Sequence, residues 1–131
     1  MKKVLVVDDN KLVGKLVAIY FGRFGWEVEC SEGPFGVLNK VKLFKPDTIL
    51  LDINMPGLNG DKLAALIRDK SFEHEFKVVS FSAEDEQTQK ELVRKGLVDA
   101  YFVKSNSLEG LEDVVGWVTD RDTAWKASCG R

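Results

Sequence analysis

The residues best suited to chemistry are acids placed directly after short apolar runs. Asp8 and Asp9 follow Val4-Leu5-Val6-Val7, and Asp52 follows Thr48-Ile49-Leu50-Leu51. Ser82 comes just after Val78 to Phe81, and Lys104 directly after Ala100 to Val103. Singly, each is ordinary: an acid after a strand caps a helix or faces water. Together they form a set, because functional groups of open α/β sheets gather outside the carboxyl ends of the strands. Three carboxylates and one ammonium in a small volume leave an excess of two negative charges. Either some carboxyls stay protonated or a cation neutralises them. A hard divalent ion with oxygen ligands fits best. Mg²⁺ prefers octahedral oxygen coordination, keeps several waters and commonly joins carboxylates to a substrate phosphate. A thiolate or imidazole site is disfavoured, since His74 is the only histidine and neither Cys30 nor Cys129 lies at one of these strand ends.

The elements that must position these residues are legible from periodicity. The four apolar runs are of strand length and continuous in apolar character, as strands covered on both faces are. Trp26-Glu27-Val28-Glu29-Cys30 alternates apolar and acidic residues, which places it at a sheet edge. Asp9 or Asn10 can cap a first helix with apolar Leu12, Val13, Leu16, Val17, Tyr20 and Phe24, and Gly25 suits a left-handed end. Pro34 suits the first turn of a second helix carrying Leu38 and Val41, and Pro46 forbids its continuation. A third helix is expected over about 61–68 with Leu63, Leu66 and Ile67 inward. A fourth is expected over about 84–95, and a fifth from near Asn106 with Leu108, Leu111, Val115 and Val118 at helical spacing. Asn106 and Glu109 have the spacing of a capping box. The fourth helix opens Glu84-Asp85-Glu86-Gln87-Thr88-Gln89-Lys90-Glu91, with no large apolar residue, so it is expected to bury little and to be held weakly.

Strand and helix therefore alternate five times. Right-handed crossovers leave few topologies. The expected fold class is α/β, a doubly wound (βα)5 with a five-stranded parallel sheet of order 2-1-3-4-5. In that order the first, third and fourth strands are neighbours, and the acids converge on one cleft.

Bulk properties agree with a single domain. The chain has 131 residues, 44% of them hydrophobic and 31% charged. A net charge of −2 with scattered basic residues gives no footprint for nucleic acid or anionic lipid. The two cysteines fit neither a zinc site nor a disulfide framework and read as reduced thiols. The initial MKKVLVVDDN has no signal-peptide pattern and no stretch is long enough to span a bilayer, so a cytoplasmic, membrane-free protein is expected. Residues 120–131 read as an extension of the fifth helix or a linker stub.

Four segments carry a family resemblance. Val6-Val7-Asp8-Asp9, the stretch from Pro46 to Gly60 (PDTILLDINMPGLNG), Ser80-Phe81-Ser82-Ala83 and Tyr101-Phe102-Val103-Lys104 resemble, in order, the signature of response-regulator receivers of two-component signalling. The pair Asn54 and Glu84 is similar to that of the chemotaxis receiver. The likeness covers about residues 1–119. It implies that Asp52 accepts a phosphoryl group from a phosphohistidine on a sensor histidine kinase or histidine phosphotransfer protein. It implies Mg²⁺ on Asp9, Asp52 and the backbone carbonyl of Asn54, with Asp8 acting largely through water. Lys104 would pair with the phosphoryl oxygens, Ser82 would donate a hydrogen bond to one of them, and the small Ala83 would leave the cleft open. Asn54 and Glu84 would set the lifetime of the acyl phosphate, here a short one. Ser82 and Tyr101 would be the switch, Tyr101 turning inward as Ser82 is drawn to the phosphoryl group. The face of the fourth helix, fifth strand and fifth helix would then meet an output protein, with the chain monomeric or dimerising on phosphorylation. It would be no enzyme beyond its own phosphotransfer and dephosphorylation.

Two features depart from the family pattern, both on the signalling side. Ser105 stands where a proline with a cis bond is usual, and a cis bond to a non-proline costs about 2.5–4 kcal/mol. The connection Gly96 to Tyr101 is one residue longer than usual. Two rival readings remain in view. Haloacid-dehalogenase-like phosphatases also use an aspartyl nucleophile and Mg²⁺, but they resemble a D-x-D-x-T pattern after the first strand, which this chain lacks. A receiver-shaped module that is never phosphorylated would have no need of all three acids, Ser82 and Lys104.

Overall fold

A computed structural model of the chain describes residues 2–33, 35–54, 60–69, 72, 75–83, 85–104 and 109–119. The strands are β1 (Lys3–Val7), β2 (Glu27–Ser31), β3 (Thr48–Leu51), β4 (Lys77–Ser82) and β5 (Ala100–Val103). The helices are α1 (Lys11–Gly22), α2 (Val37–Phe44), α3 (Gly60–Asp69), α4 (Glu86–Arg94) and α5 (Glu109–Thr119). All strand pairs are parallel and the order is β2-β1-β3-β4-β5, as expected. The alternating strand β2 lies at an edge. Trp26 stands just before it and packs edge-on against Phe21, ring centroids 5.2 Å apart.

Each central strand feeds two cores because its side chains alternate between faces. Val4, Val6, Leu50, Val79 and Phe81 pack with Val17 and Phe21 of α1 and Leu111, Val114 and Val118 of α5. Leu5, Val7, Ile49, Leu51 and Val78 pack with Val41 of α2, Leu63 and Ile67 of α3 and Leu92 of α4. Each fully buried aliphatic side chain contributes roughly 1.5–3 kcal/mol, which is what holds the layers.

Local signals account for most boundaries. Asn10 caps α1, its side-chain oxygen accepting from the Leu12 N–H at 3.0 Å. Gly25 has φ +78° and donates to the Gly22 carbonyl, the left-handed turn expected there. α2 stops at Phe44, and Lys45, the residue before Pro46, leaves the helical region with φ 53°.

One expectation of an inward side chain, that for Leu66, is corrected, and two apolar positions read in the first helix are exposed. Leu12 is 60% exposed and Phe24 58% exposed. The buried stripe of α1 is Gly14, Val17 and Phe21; Leu12 lies about 140° round the helix from Val17, and Phe24 is past its end. Leu66 is also exposed, off the stripe formed by Leu63, Ala64 and Ile67. α4 begins at Glu86 and is held differently from expectation: besides Leu92 it buries a polar residue, Gln89. The expectations for Pro34, Ser105, Asn106, Leu108 and the tail 120–131 lie outside the described residues.

Candidate functional site

The sheet delivers the site by extending each ladder one residue past its strand. The Asp8 N–H donates to the Ser31 carbonyl at 3.0 Å, Asp52 N–H to Val7 at 2.9 Å and Lys104 N–H to Ser82 at 2.8 Å. Since Val7 pairs with Leu51 in register, Asp8 and Asp52 emerge side by side.

Asp8 and Asp52 are buried, at 6% and 5% exposure, whereas Asp9 is exposed. Each buried carboxylate is used in the same way. One oxygen accepts a backbone N–H two residues on, Asn10 for Asp8 and Asn54 for Asp52, both at 2.9 Å. The other accepts from Lys104 Nζ, at 2.6 Å for Asp8 and 3.0 Å for Asp52. The lysine thus bridges the two acids, with its ammonium 5.8 Å from the Phe81 ring centroid.

The electrostatics follow from this crowding. Burial pushes the Asp8 carboxyl above its ordinary value, and the hydrogen bonds from Lys104 and Asn10 offset that only in part. Burial also disfavours the Lys104 ammonium, but its hydrogen bonds and charge interactions with Asp8 and Asp52 outweigh burial and hold its pKa above the usual lysine value.

One carboxylate oxygen from each of Asp8, Asp9 and Asp52 lies within 4.8 Å of the others. The donors are all hard oxygens, two of the three residues are shielded from water, and one cation cannot balance three anions. This donor set fits a hard divalent ion such as Mg²⁺. Asn54 sits on the same turn as Asp52, two residues on. Ser82 is fully buried at the end of β4, and Ala83 follows it in an exposed position. Glu84 lies outside the described residues.

Tyr101 is buried, at 8% exposure, and its hydroxyl donates to Glu86 Oε1 at 2.7 Å. The reason is that α4 covers this side of the edge strand β5. Three residues to which the sequence assigned no site role sit beside the site. Ser80 Oγ donates to Gln89 Oε1 at 2.7 Å, Gln89 Nε2 donates to the Ser82 carbonyl at 3.2 Å, and Glu86 receives Tyr101. A usable signal existed: Ser80 is a hydroxyl inside an apolar strand, two residues from Ser82, and Gln89 falls three residues before Leu92 on the inward stripe.

Comparison with known proteins gives a consistent picture. Residues 4–116 match the family described as the response regulator receiver domain. The chain is 31% identical over 103 residues to the alkaline phosphatase synthesis transcriptional regulatory protein PhoP of Bacillus subtilis, covering 79% of this chain and 42% of that protein. It is 29% identical over 121 residues to the CAI-1 autoinducer sensor kinase/phosphatase CqsS of Vibrio cholerae, covering 89% of this chain and 17% of that protein. It therefore spans less than half the length of these relatives. Among solved structures, chemotaxis protein CheY4 of Vibrio cholerae superposes with a TM-score of 0.77 at 25% identity, covering 90% of this chain and 98% of that one. Response regulator TrrA of Thermotoga maritima, solved in complex with Mg²⁺-BeF, gives 0.69 at 31% identity, covering 88% and 96%. The fold, the acids at its strand ends and the family match over most of the length agree, and the chain belongs to the response regulator receiver domain family.

Proposed function

We propose that this receiver is a phosphorylation switch in which Asp52 takes a phosphoryl group, in a Mg²⁺-dependent reaction, from a phosphohistidine on a sensor kinase or histidine phosphotransfer protein. The observation that carries the reading is the placement of Asp52: buried, neutralised by Lys104 at 3.0 Å, and grouped with Asp8 and Asp9 within 4.8 Å.

Asp9, Asp52 and the backbone carbonyl of Asn54 would hold the ion directly, with Asp8 acting through water. When bound, Mg²⁺ supplies positive charge against the developing negative charge of the phosphoryl oxygens. A carboxylate oxygen of Asp52 forms the new bond to phosphorus while the phosphorus–nitrogen bond to histidine breaks, its electron pair returning to the ring nitrogen. Lys104 exchanges its bond to Asp52 for the phosphoryl oxygens. Ser82 donates to one of them, and Ala83 leaves the approach open. Catalysis here is positioning and charge stabilisation by a preorganised site. The chain turns over no other substrate.

The phosphoryl group adds about −1.5 to −2 charge beside Ser82. Ser82 and Tyr101 form the switch, and the face of α4, β5 and α5 meets the output protein, with the chain monomeric or dimerising when phosphorylated. Asn54 and Glu84 set a short lifetime. The cytoplasm is the compartment in which such a donor is met. No helix among the described residues is long and apolar enough to cross a membrane.

Incubation with acetyl phosphate and Mg²⁺, followed by intact mass, tests the reading. One phosphoryl adduct that disappears on chelation of the metal and in Asp52→Asn supports it. Absence of an adduct from the folded chain would make it an unphosphorylated interaction module, and turnover of a phosphomonoester would make it a phosphatase.

A further inference from the structure

We propose that Gln89 is a positioning residue for the phosphoryl site, holding the backbone that carries Ser82 and Lys104 through the Ser82 carbonyl and tying it to the first turn of α4. The proposal rests on the reading of Asp52 as phosphoacceptor.

Gln89 is fully buried, although it lies in the most polar helix of the chain. A buried amide is costly unless bonded, so its partners fix its orientation. Ser80 Oγ donates to its oxygen at 2.7 Å, which points its nitrogen to the Ser82 carbonyl at 3.2 Å. Ser80 and Ser82 lie two apart on β4, on the face that α4 covers.

The Ser82 carbonyl also accepts the Lys104 N–H at 2.8 Å. One acceptor therefore joins three things: the backbone of the hydroxyl residue, the backbone of the residue whose ammonium bridges Asp8 and Asp52, and a side chain of α4. The first turn of α4 is fixed in turn, with Asp85 accepting from the Thr88 N–H at 2.8 Å and Gln89 N–H donating to the Asp85 carbonyl at 3.3 Å. Any displacement of the β4 end toward a phosphoryl group pulls on this amide, and the helix feels it at the same place. Apolar contact would slide; two directed hydrogen bonds with near-fixed lengths transmit the movement.

The test uses Gln89→Leu, which keeps similar volume and removes both bonds, in the full chain. Adduct formation from acetyl phosphate with saturating Mg²⁺ is timed in the Ser82 and Ser82→Ala backgrounds, and Lys104 amide protection is read by hydrogen exchange. Gln89→Leu is expected to slow adduct formation about fivefold with Ser82 present, the factor set by one ordinary hydrogen bond, and by a smaller factor in Ser82→Ala, where only Lys104 is left to be positioned. Lys104 protection is expected to fall about fivefold. Equal slowing in the two backgrounds overturns the proposal, as does unaltered Lys104 protection. If Gln89→Leu does not fold, Ser80→Ala, which removes the hydroxyl orienting the amide, is read in its place. Should the unsubstituted chain form no adduct, the phosphoacceptor reading fails, and the positioning role is decided by Lys104 protection alone.

Discussion

Lys104 Nζ stands 2.6 Å from Asp8 Oδ2 while also bonding Asp52, so one ammonium bridges two carboxylates that water barely reaches. Removing it strands both charges. Lys104→Met is expected to lower stability without divalent ion by about 2–3 kcal/mol, less than a fully buried pair because the lysine side chain keeps 19% exposure. Urea unfolding measures this. The same substitution is expected to tighten Mg²⁺ binding, since the ammonium no longer competes for the acids. Calorimetric titration giving unchanged or weaker affinity would mean that ion and ammonium occupy separate places.

Tyr101 and Glu86 join β5 to the first turn of α4 by a hydrogen bond of 2.7 Å. Tyr101→Phe keeps the ring in its buried place and removes that bond. The expected loss is about 1 kcal/mol, concentrated in α4, with faster exchange of its first-turn amides. The rate of adduct formation on Asp52 should stay within about twofold of the parent, because the bond removed is to Glu86 of α4. A large fall in that rate would put the hydroxyl in the phosphoryl site.

Asp85 gives α4 a pH dependence of known sign. Hydrogen bonds from the Thr88 backbone N–H and then its hydroxyl hold the Asp85 carboxyl below its ordinary value of 3.8. A group whose pKa is lower folded than unfolded stabilises above the ordinary carboxylate range and loses that contribution as pH falls through the folded value. Protection of the Thr88 and Gln89 amides is therefore expected to drop on acidification below about pH 4. Asp85→Asn keeps an N-cap but cannot titrate, so the acid-dependent drop should vanish. Persistence of the drop in Asp85→Asn would assign it elsewhere.

Asn54 lies two residues beyond Asp52, its backbone N–H bonded to Asp52 Oδ1 at 2.9 Å, and in the proposed reading it helps to set the lifetime of the acyl phosphate. Asn54→Ala removes a polar group able to orient the attacking water. Decay of the purified adduct, followed by intact mass, is expected to slow severalfold. A decay rate equal to the parent's would take Asn54 out of lifetime control.

Most of the architecture could be read in the chain itself. Continuous apolar runs mark buried parallel strands, and their ends place Asp8, Asp52, Ser82 and Lys104 in one row whatever the helices do. Position along a strand is a local property, and the parallel sheet turns it directly into position in space. The faces of the helices were less legible. Leu66 reads as inward and lies exposed, as does the apolar Leu12, because a helix buries only the stripe that meets the sheet, and its rotation is settled by neighbours far away in sequence.

The sequence by itself determined the order of elements, the sheet, and the meeting of three acids with one lysine, because alternation and strand length are written in consecutive residues. Only the tertiary structure decided that Gln89 is interior, that Tyr101 is already covered, and that Lys104 spans Asp8 and Asp52. The first two depend on which side of α4 faces β4 and β5, and the third on the ends of β1, β3 and β5 lying within reach of one side chain. A glutamine in a polar helix is written like a surface residue until Ser80 and the Ser82 carbonyl, brought opposite it by folding, satisfy its amide.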